Sequence, residues 1–193
     1  MADNFRALVF EVSSGDELTG ALRGWIGLVA SERGLRFLGL PRPTYEAAVR
    51  YLRECYPDAR LTNDDPFLLD ISGQLRAYAV SERREFAVEL DLRGNTAFAL
   101  GVWAATARIP YGQTRTYAWV ARQMGNVSFS DQPAYGSAAQ AVGAALGFNP
   151  VPLIIPCHRV IGSDGTLHGF AGGLDTKARL LAMESGQATL PLE

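Results

Sequence analysis

Apolar residues follow two regimes along the chain. Up to about residue 94 they come in short blocks of strand length, mixed with helical stripes. Ala7-Leu8-Val9-Phe10-Glu11-Val12 reads as a strand. Gly24 to Ala30 and Leu35 to Leu40 flank Ser31-Glu32-Arg33-Gly34, a hairpin signal with Gly34 free to take the left-handed position. Thr44 is placed to cap a helix carrying Tyr45, Ala48, Val49, Leu52 and Cys55 on one face, where Cys55 is expected as a small buried hydrophobe. A second helix is expected from Pro66 to about Tyr78, then a strand through Glu85-Phe86-Ala87-Val88-Glu89-Leu90. Three or more strands with two helices predict an α/β unit, a small sheet with helices packed on it.

Arg93-Gly94-Asn95 marks a boundary, giving domains 1–94 and 95–193, and the second reads mostly helical. Phe98, Val102, Ala105 and Ile109 recur at helical spacing until Pro110-Tyr111-Gly112. Thr116 is an expected N-cap for Tyr117 to Met124, with Gly125 as its stop. Ser137 opens a helix of small residues, Ala138 to Leu146, smooth enough either to approach another surface closely or to pack against a neighbouring helix. Asp175 is expected to cap the last helix, which runs through Leu180, Leu181 and Glu184 to Gly186. The 126–136 connection, rich in turn formers, is much longer than the roughly three or four residues of an ordinary helix-turn-helix.

Bulk properties narrow the function without naming it. Of 193 residues, 48% are hydrophobic and 20% charged, with no apolar run near the roughly 18 to 20 residues of a membrane span. The first residues do not resemble a signal peptide, so a cytoplasmic protein, nucleoid-associated in a prokaryote, is expected. Net charge is −2; residues 1–95 hold 12 basic and 15 acidic residues and the remainder 6 and 5. Such a balance excludes an electrostatic coat on nucleic acid and leaves only DNA binding with few phosphate contacts. Two lone cysteines, Cys55 and Cys157, are expected to be reduced, and with two histidines they do not suggest a structural zinc site. No metal, no cofactor and a monomer are expected.

The densest chemistry lies in Asn149-Pro150-Val151-Pro152-Leu153-Ile154-Ile155-Pro156-Cys157-His158-Arg159-Val160. Three prolines and an apolar run predict a stiff, extended segment delivering Cys157 to a fixed place. A nucleophilic thiol must be ionised near neutral pH, which calls for a base or a positive field. His158 is the nearest base. Neighbours on an extended chain point apart, so a bridging water is expected between them. Glu184 is a candidate to orient the imidazole. The residues alone leave open whether this is an activated thiol or a buried cysteine beside a satisfied histidine. A papain-like hydrolase fits poorly, because its pair comes from distant segments.

Pro-Cys-His-Arg-Val, preceded by Asn-Pro-Val-Pro and followed by Gly172-Gly173-Leu174, resembles the O6-alkylguanine-DNA alkyltransferases over residues 96–188. The first half resembles, in outline, the family's ribonuclease-H-like companion domain. The resemblance implies an α/β N-terminal domain plus a mostly α C-terminal domain with a winged-helix-like helix-turn-helix. It implies irreversible, single-turnover transfer of an alkyl group from O6-alkylguanine, with O4-alkylthymine in the same class, onto Cys157. His158 would be the base through water and Glu184 its orienting group, with Asn149 the hinge. Tyr117 would donate to the leaving base and help to rotate a phosphate. Tyr117, Val160, Phe170, Ala171, Leu146 and Gly172 would receive the base. Thr116, Tyr117, Ser137, Ala138, Gln140, Ala141 and Gly143 would meet double-stranded DNA through its minor groove, where readout is nearly sequence-blind. The base would then be flipped into the pocket.

Several positions depart from the family's pattern. Gln140 stands where an arginine usually fills the stack, Leu146 where methionine is common, and Phe170-Ala171 replace a Tyr-Ser pair. Loss of the phenol and the serine hydroxyl removes side-chain donation at O6. Phe129 or Tyr135 in the long connection is expected to stand in for the arginine, unless that stretch is a solvated insertion. These departures keep a second reading open, a lesion-binding protein that flags damage without transfer. They also leave room for a third, the same transfer from a bulkier adduct.

Overall fold

The computed structural model describes residues 4–13, 20–124 and 136–186. The chain divides into two compact units, Met1–Leu92 and Arg93–Glu193. The connection carrying Phe129 and Tyr135 lies outside the described residues for all but Gly136.

In the first unit, β1 (Arg6–Ser13), β2 (Arg23–Ser31) and β3 (Gly34–Leu38) form an antiparallel meander, and β4 (Arg60–Leu61) adds to β1 in parallel, giving the order β3-β2-β1-β4. Both faces of the sheet are covered, which is why β1 and β2 read as nearly continuous apolar runs. Ala7, Val9 and Val29 face Ala48 and Leu52 of helix α1 (Tyr45–Cys55). On the other face Arg76 of helix α2 (Pro66–Ala79) lies over the Phe10 ring. Thr44 caps α1 by accepting from the Ala47 N–H, and Asp65 caps α2 by accepting from Leu68 while pairing with Arg6 at 2.8 Å.

Two expectations in this unit are corrected. Residues 85–90 form no strand; the segment touches the sheet only at one parallel bridge, Leu35 to Leu90. Its backbone finds other partners. The Gln74 side chain donates to the Ala87 carbonyl at 3.1 Å and accepts from the Ala87 N–H at 3.0 Å, so an amide side chain does the work of a neighbouring strand. The segment then crosses Gly34, at φ +140°, where a Cβ would lie 2.5 Å from the Glu89 carbonyl oxygen. Cys55 is exposed rather than buried. The inward face of α1 ends at Leu52, and the next packing place is filled by Tyr56, whose ring meets Phe5 and Phe37.

The second unit carries helix α3 (Ala97–Ala107), β5 (Arg115–Thr116), helix α4 (Tyr117–Gln123), helix α5 (Ala138–Gly147), β6 (Val160–Ile161) and helix α6 (Gly173–Ser185). α4 and α5 pack on each other and on α3, and Trp103 donates its indole N–H to the Ala145 carbonyl at 3.0 Å. β5 and β6 pair in parallel beside them. An α/β unit followed by a mostly helical one is the architecture expected. Thr116 and Ser137 cap α4 and α5 as the sequence suggests. Asp175 does not cap α6: Gly172 holds that place, and Asp175 sits one turn inside, paired with Arg179. Gly186, at φ +70°, closes α6.

Replacing Gln74 with Ala removes both bonds to Ala87, whose exposed backbone water can then solvate. A loss of about 0.5–1.5 kcal/mol of stability per hydrogen bond is expected. Urea denaturation checks the magnitude, and hydrogen exchange should show the Ala87 amide losing protection while Val9 keeps its own.

Candidate active site

The chain leaves α5 through Asn149, which ties the following turn to itself. Its Oδ1 accepts from the Val151 N–H at 3.1 Å, and its Nδ2 donates to the Ile155 carbonyl at 2.9 Å and to the Cys157 sulfur at 3.3 Å. The segment is not extended, contrary to expectation. Ile155 N–H donates back to the Val151 carbonyl, and Leu153 adopts φ +74° with its side chain buried. A left-handed leucine costs on the order of 1–3 kcal/mol and persists only where packing compels it. Cys157 and His158 then fall on a 3₁₀ turn, Cys157–Arg159. Successive side chains there are about 120° apart, so the expectation that the two point to opposite sides lapses with its premise.

Cys157 is 9% exposed and lines a cavity of about 280 Å³ with Tyr117, Gly143, Leu146, Gly147, Asn149, Pro152, Gly169, Phe170 and Ala171. Burial pushes its thiol up; the Asn149 amide, the Lys177 charge and two backbone N–H groups pull the other way without overcoming it. Burial therefore works against the thiolate that nucleophilic chemistry needs, and Asn149 and Lys177 work for it.

His158 is fully buried, and its Nε2–H donates to Glu184 Oε1 at 2.9 Å. Burial lowers its basicity, and Arg159 and Lys177 lower it further, against Glu184. Glu184 accepts four hydrogen bonds: from His158, from Arg159 Nε at 2.8 Å, from Arg159 Nη2 at 2.9 Å and from the Gly112 N–H at 3.1 Å. Burial alone would raise the carboxyl, but these bonds and the neighbouring charges hold it at about 2. It stays ionised and can orient the imidazole without taking its proton.

Two residues here had no place in the sequence reading. Arg159 was legible only as part of the Cys-His-Arg string. Lys177, in the first turns of α6, reads as a solvated helix charge. It is fully buried, donates to the Val160 carbonyl at 2.6 Å and the His168 carbonyl at 2.8 Å, and burial lowers it to about 8.

The expected contact residues divide. Tyr117 opens α4, half-buried at the cavity wall; burial and then Cys157 raise its hydroxyl. Leu146, Phe170 and Ala171 line the cavity, whereas Val160 and Gly172 do not: Val160 is fully buried with its carbonyl engaged by Lys177, and Gly172 caps α6. Of the expected DNA contacts, Ser137 and Gln140 are exposed, Ala138 is half-buried, and Gly143 lies 3.6 Å below the Tyr117 ring, measured from where its Cβ would be. Ala141 is 2% exposed and turned toward Phe98 and Trp103 of α3, so its side chain belongs to the protein interior. The Thr116 hydroxyl accepts from the Trp119 N–H. Among the described residues no group of three or more His, Cys, Asp or Glu is arranged to hold a metal.

Gly112, at φ +73°, lets Pro110-Tyr111-Gly112 close on α6; a Cβ would stand 2.8 Å from the Glu184 main-chain oxygen. Gly112→Ala is expected to cost about 1–3 kcal/mol, read by denaturant unfolding. Acid should also unfold this unit in a defined way. His158 and Glu184 both have lowered values in the fold, so below 6.5 the unfolded chain binds more protons. Stability is complete above that pH and falls as pH drops, first through His158, then from 4.5 toward 2 through Glu184. Urea midpoints across that range check this, and Glu184→Gln should flatten the lower step.

Residues 97–186 match the family model described as 6-O-methylguanine DNA methyltransferase, DNA binding domain. The inducible methylated-DNA–protein-cysteine methyltransferase of Bacillus subtilis is 37% identical over 163 residues, 84% of this chain and 86% of the relative. Its Mycobacterium tuberculosis counterpart is 44% identical over 146 residues, 75% and 82% of the two chains. The crystal structure of Mycobacterium tuberculosis O6-methylguanine methyltransferase superposes with a TM-score of 0.69 at 33% identity, covering 98% of this chain and 96% of that one. A structure of Mycobacterium tuberculosis OGT in complex with DNA gives 0.64 at 34% identity, covering 95% and 94%. The chain, with a thiol at the wall of a cavity and the next residue's imidazole bonded to a buried carboxylate, therefore belongs to the methylated-DNA–protein-cysteine methyltransferase family.

Proposed function

We propose that the protein repairs DNA by moving an alkyl group from O6 of guanine in duplex DNA onto the sulfur of Cys157, once per molecule. The observation that carries this is the thiol lining a cavity while the adjacent residue, His158, is bonded to the buried Glu184 carboxylate. With Nε2–H committed to Glu184, Nδ1 is the basic nitrogen of the neutral ring. The thiol proton passes to it through a water, and the thiolate attacks the alkyl carbon. A carbon–sulfur bond forms as the carbon–O6 bond breaks. The leaving guanine anion is protonated by the Tyr117 hydroxyl, which regains a proton from the His158 imidazolium through water, and a thioether remains. No methyl carrier is needed, because the lesion is the donor.

The helix of small residues, α5, enters the minor groove with Ser137, Gln140 and Gly143 along its approach, and the damaged base rotates into the cavity beside Phe170 and Ala171. Side-chain donation at O6 is absent from that pair, which leaves the Ala171 backbone N–H to serve. The protein acts as a monomer in the compartment that holds the DNA. The second reading, binding without transfer, stays tied to one feature, the neutral and shorter Gln140 in place of an arginine.

Intact mass spectrometry after incubation with an O6-methylguanine oligonucleotide separates the two. A gain of one methylene, lost in Cys157→Ser, is expected; tight binding with no gain would establish the second reading. Glu184→Gln should slow transfer without abolishing it, because the thiol and the base remain. An unchanged rate in that variant would remove Glu184 from the relay.

A further inference from the structure

The loop after β6 carries a histidine that the transfer chemistry leaves unused. His168 is exposed at the rim of the cavity: its ring centre lies 6.2 Å from that of Tyr117, and the next residue, Gly169, lines the cavity with Tyr117. Exposed side chains ordinarily exchange rotamers freely, yet this one is held at both ends. Its carbonyl accepts from Lys177 Nζ at 2.8 Å, and its Nε2 lies 3.0 Å from the Thr166 hydroxyl. Thr166 donates its backbone N–H at 3.0 Å and its hydroxyl at 2.7 Å to Asp164 Oδ1, and these bonds hold that carboxyl below its usual range. With its one hydroxyl proton committed to Asp164, Thr166 can only accept from the ring. Nε2 therefore carries the hydrogen, and Nδ1 is the basic nitrogen. Gly162 makes room for the arrangement, since a Cβ there would stand 2.7 Å from His168 Nε2. We infer that His168, protonated at Nδ1, binds a phosphate of the DNA backbone beside the nucleotide whose base occupies the cavity.

The inference rests on the reading of the cavity as the seat of an alkylated base. A base rotated into it brings its sugar and both flanking phosphates to the mouth. No described residue lining the cavity is cationic. Gln140, exposed on α5, is neutral; Arg159 and Lys177 are buried with their donors on Glu184 and on main-chain carbonyls; Arg179 is paired with Asp175. The lining therefore offers a phosphate no fixed positive charge, and an imidazolium beside Tyr117 supplies one. Protonation leaves Nε2–H on Thr166 and adds a donor at Nδ1, so the ring keeps its anchor while gaining a hydrogen for an anion. The groups facing the ring act in opposite directions. Asp164, on the same loop, favours the imidazolium, and the Lys177 ammonium of α6, bonded to the His168 carbonyl, opposes it. Tyr117 of α4 stays neutral at neutral pH, because burial raises its hydroxyl. A histidine that served the loop alone would do so in either charge state; the phosphate contact needs the protonated ring.

The test uses the full chain with Cys157→Ser, so that a duplex carrying one O6-methylguanine is bound without being consumed. Affinity is measured against salt at about pH 8 and about pH 6, either side of the range in which imidazoles titrate. Acidification should tighten binding by about threefold to fivefold, the worth of one exposed charge pair. The slope of log affinity against log salt should steepen by roughly 0.9, the mark of one phosphate. His168→Gln should remove both responses. Asp164→Asn should move them to lower pH, because the carboxylate that favours the imidazolium is gone. Neutral methylphosphonates placed one at a time at the two phosphates flanking the lesion should abolish the His168-dependent response at one of them. The same pH response in His168→Gln, an equal loss of affinity at both pH values, or a response that survives both methylphosphonates overturns the inference. Methyl transfer by the chain with Cys157 intact tests the functional reading separately. With transfer present and the His168 response absent, the inference alone fails; with neither transfer nor preference for the lesion duplex over an undamaged one, both fail.

Discussion

Glu184 has almost no access to water, and the four donors to its carboxylate come from two places in the chain, the Gly112 turn and the His158-Arg159 pair, which it joins to its own helix α6. Each oxygen accepts two hydrogen bonds, so no lone pair is left to desolvation alone. Breaking a buried pair of this kind typically costs about 3–5 kcal/mol. That penalty fixes where α6 docks, how the 3₁₀ turn is oriented and which nitrogen of His158 carries the proton. The thiol's chemistry follows from the same contact, since an imidazole turned the other way would offer sulfur no basic nitrogen.

The site stores its reactivity rather than displaying it. Burial disfavours charge on both the sulfur and the imidazole. The compensating charges, Arg159 and Lys177, are likewise buried and anchored to main-chain carbonyls of Ile109, Val160 and His168. Strain at Leu153 and the Asn149 hydrogen bonds hold the turn beneath. Leu146, Pro152 and Phe170 give the cavity an apolar wall, and low polarity around them strengthens charge interactions nearby.

The sequence was most informative where local rules govern. Thr44, Thr116 and Ser137 mark helix starts because a side-chain oxygen capping its own third residue is a local event. It misled where a segment's partner is remote. Residues 85–90 have strand composition, yet their backbone is satisfied by the Gln74 side chain from α2, a bond no periodicity encodes. Cys55 continues a helical stripe, but the helix outruns the sheet and Tyr56 takes the packing place. Three prolines suggested an extended strut, whereas Asn149 folds that stretch into a turn.

By itself the sequence determined the α/β-then-helical order of the two units, the candidate cysteine beside its histidine, and the family, because a short Pro-Cys-His-Arg string fixes neighbours through covalent bonds. Tertiary structure alone decided the protonation states. Whether a thiol is ionised, a lysine sits near 8 or a carboxylate near 2 depends on distance and exclusion of water, and those are set by residues such as Gly112, Arg159, Lys177 and Glu184 that meet only after the chain has folded.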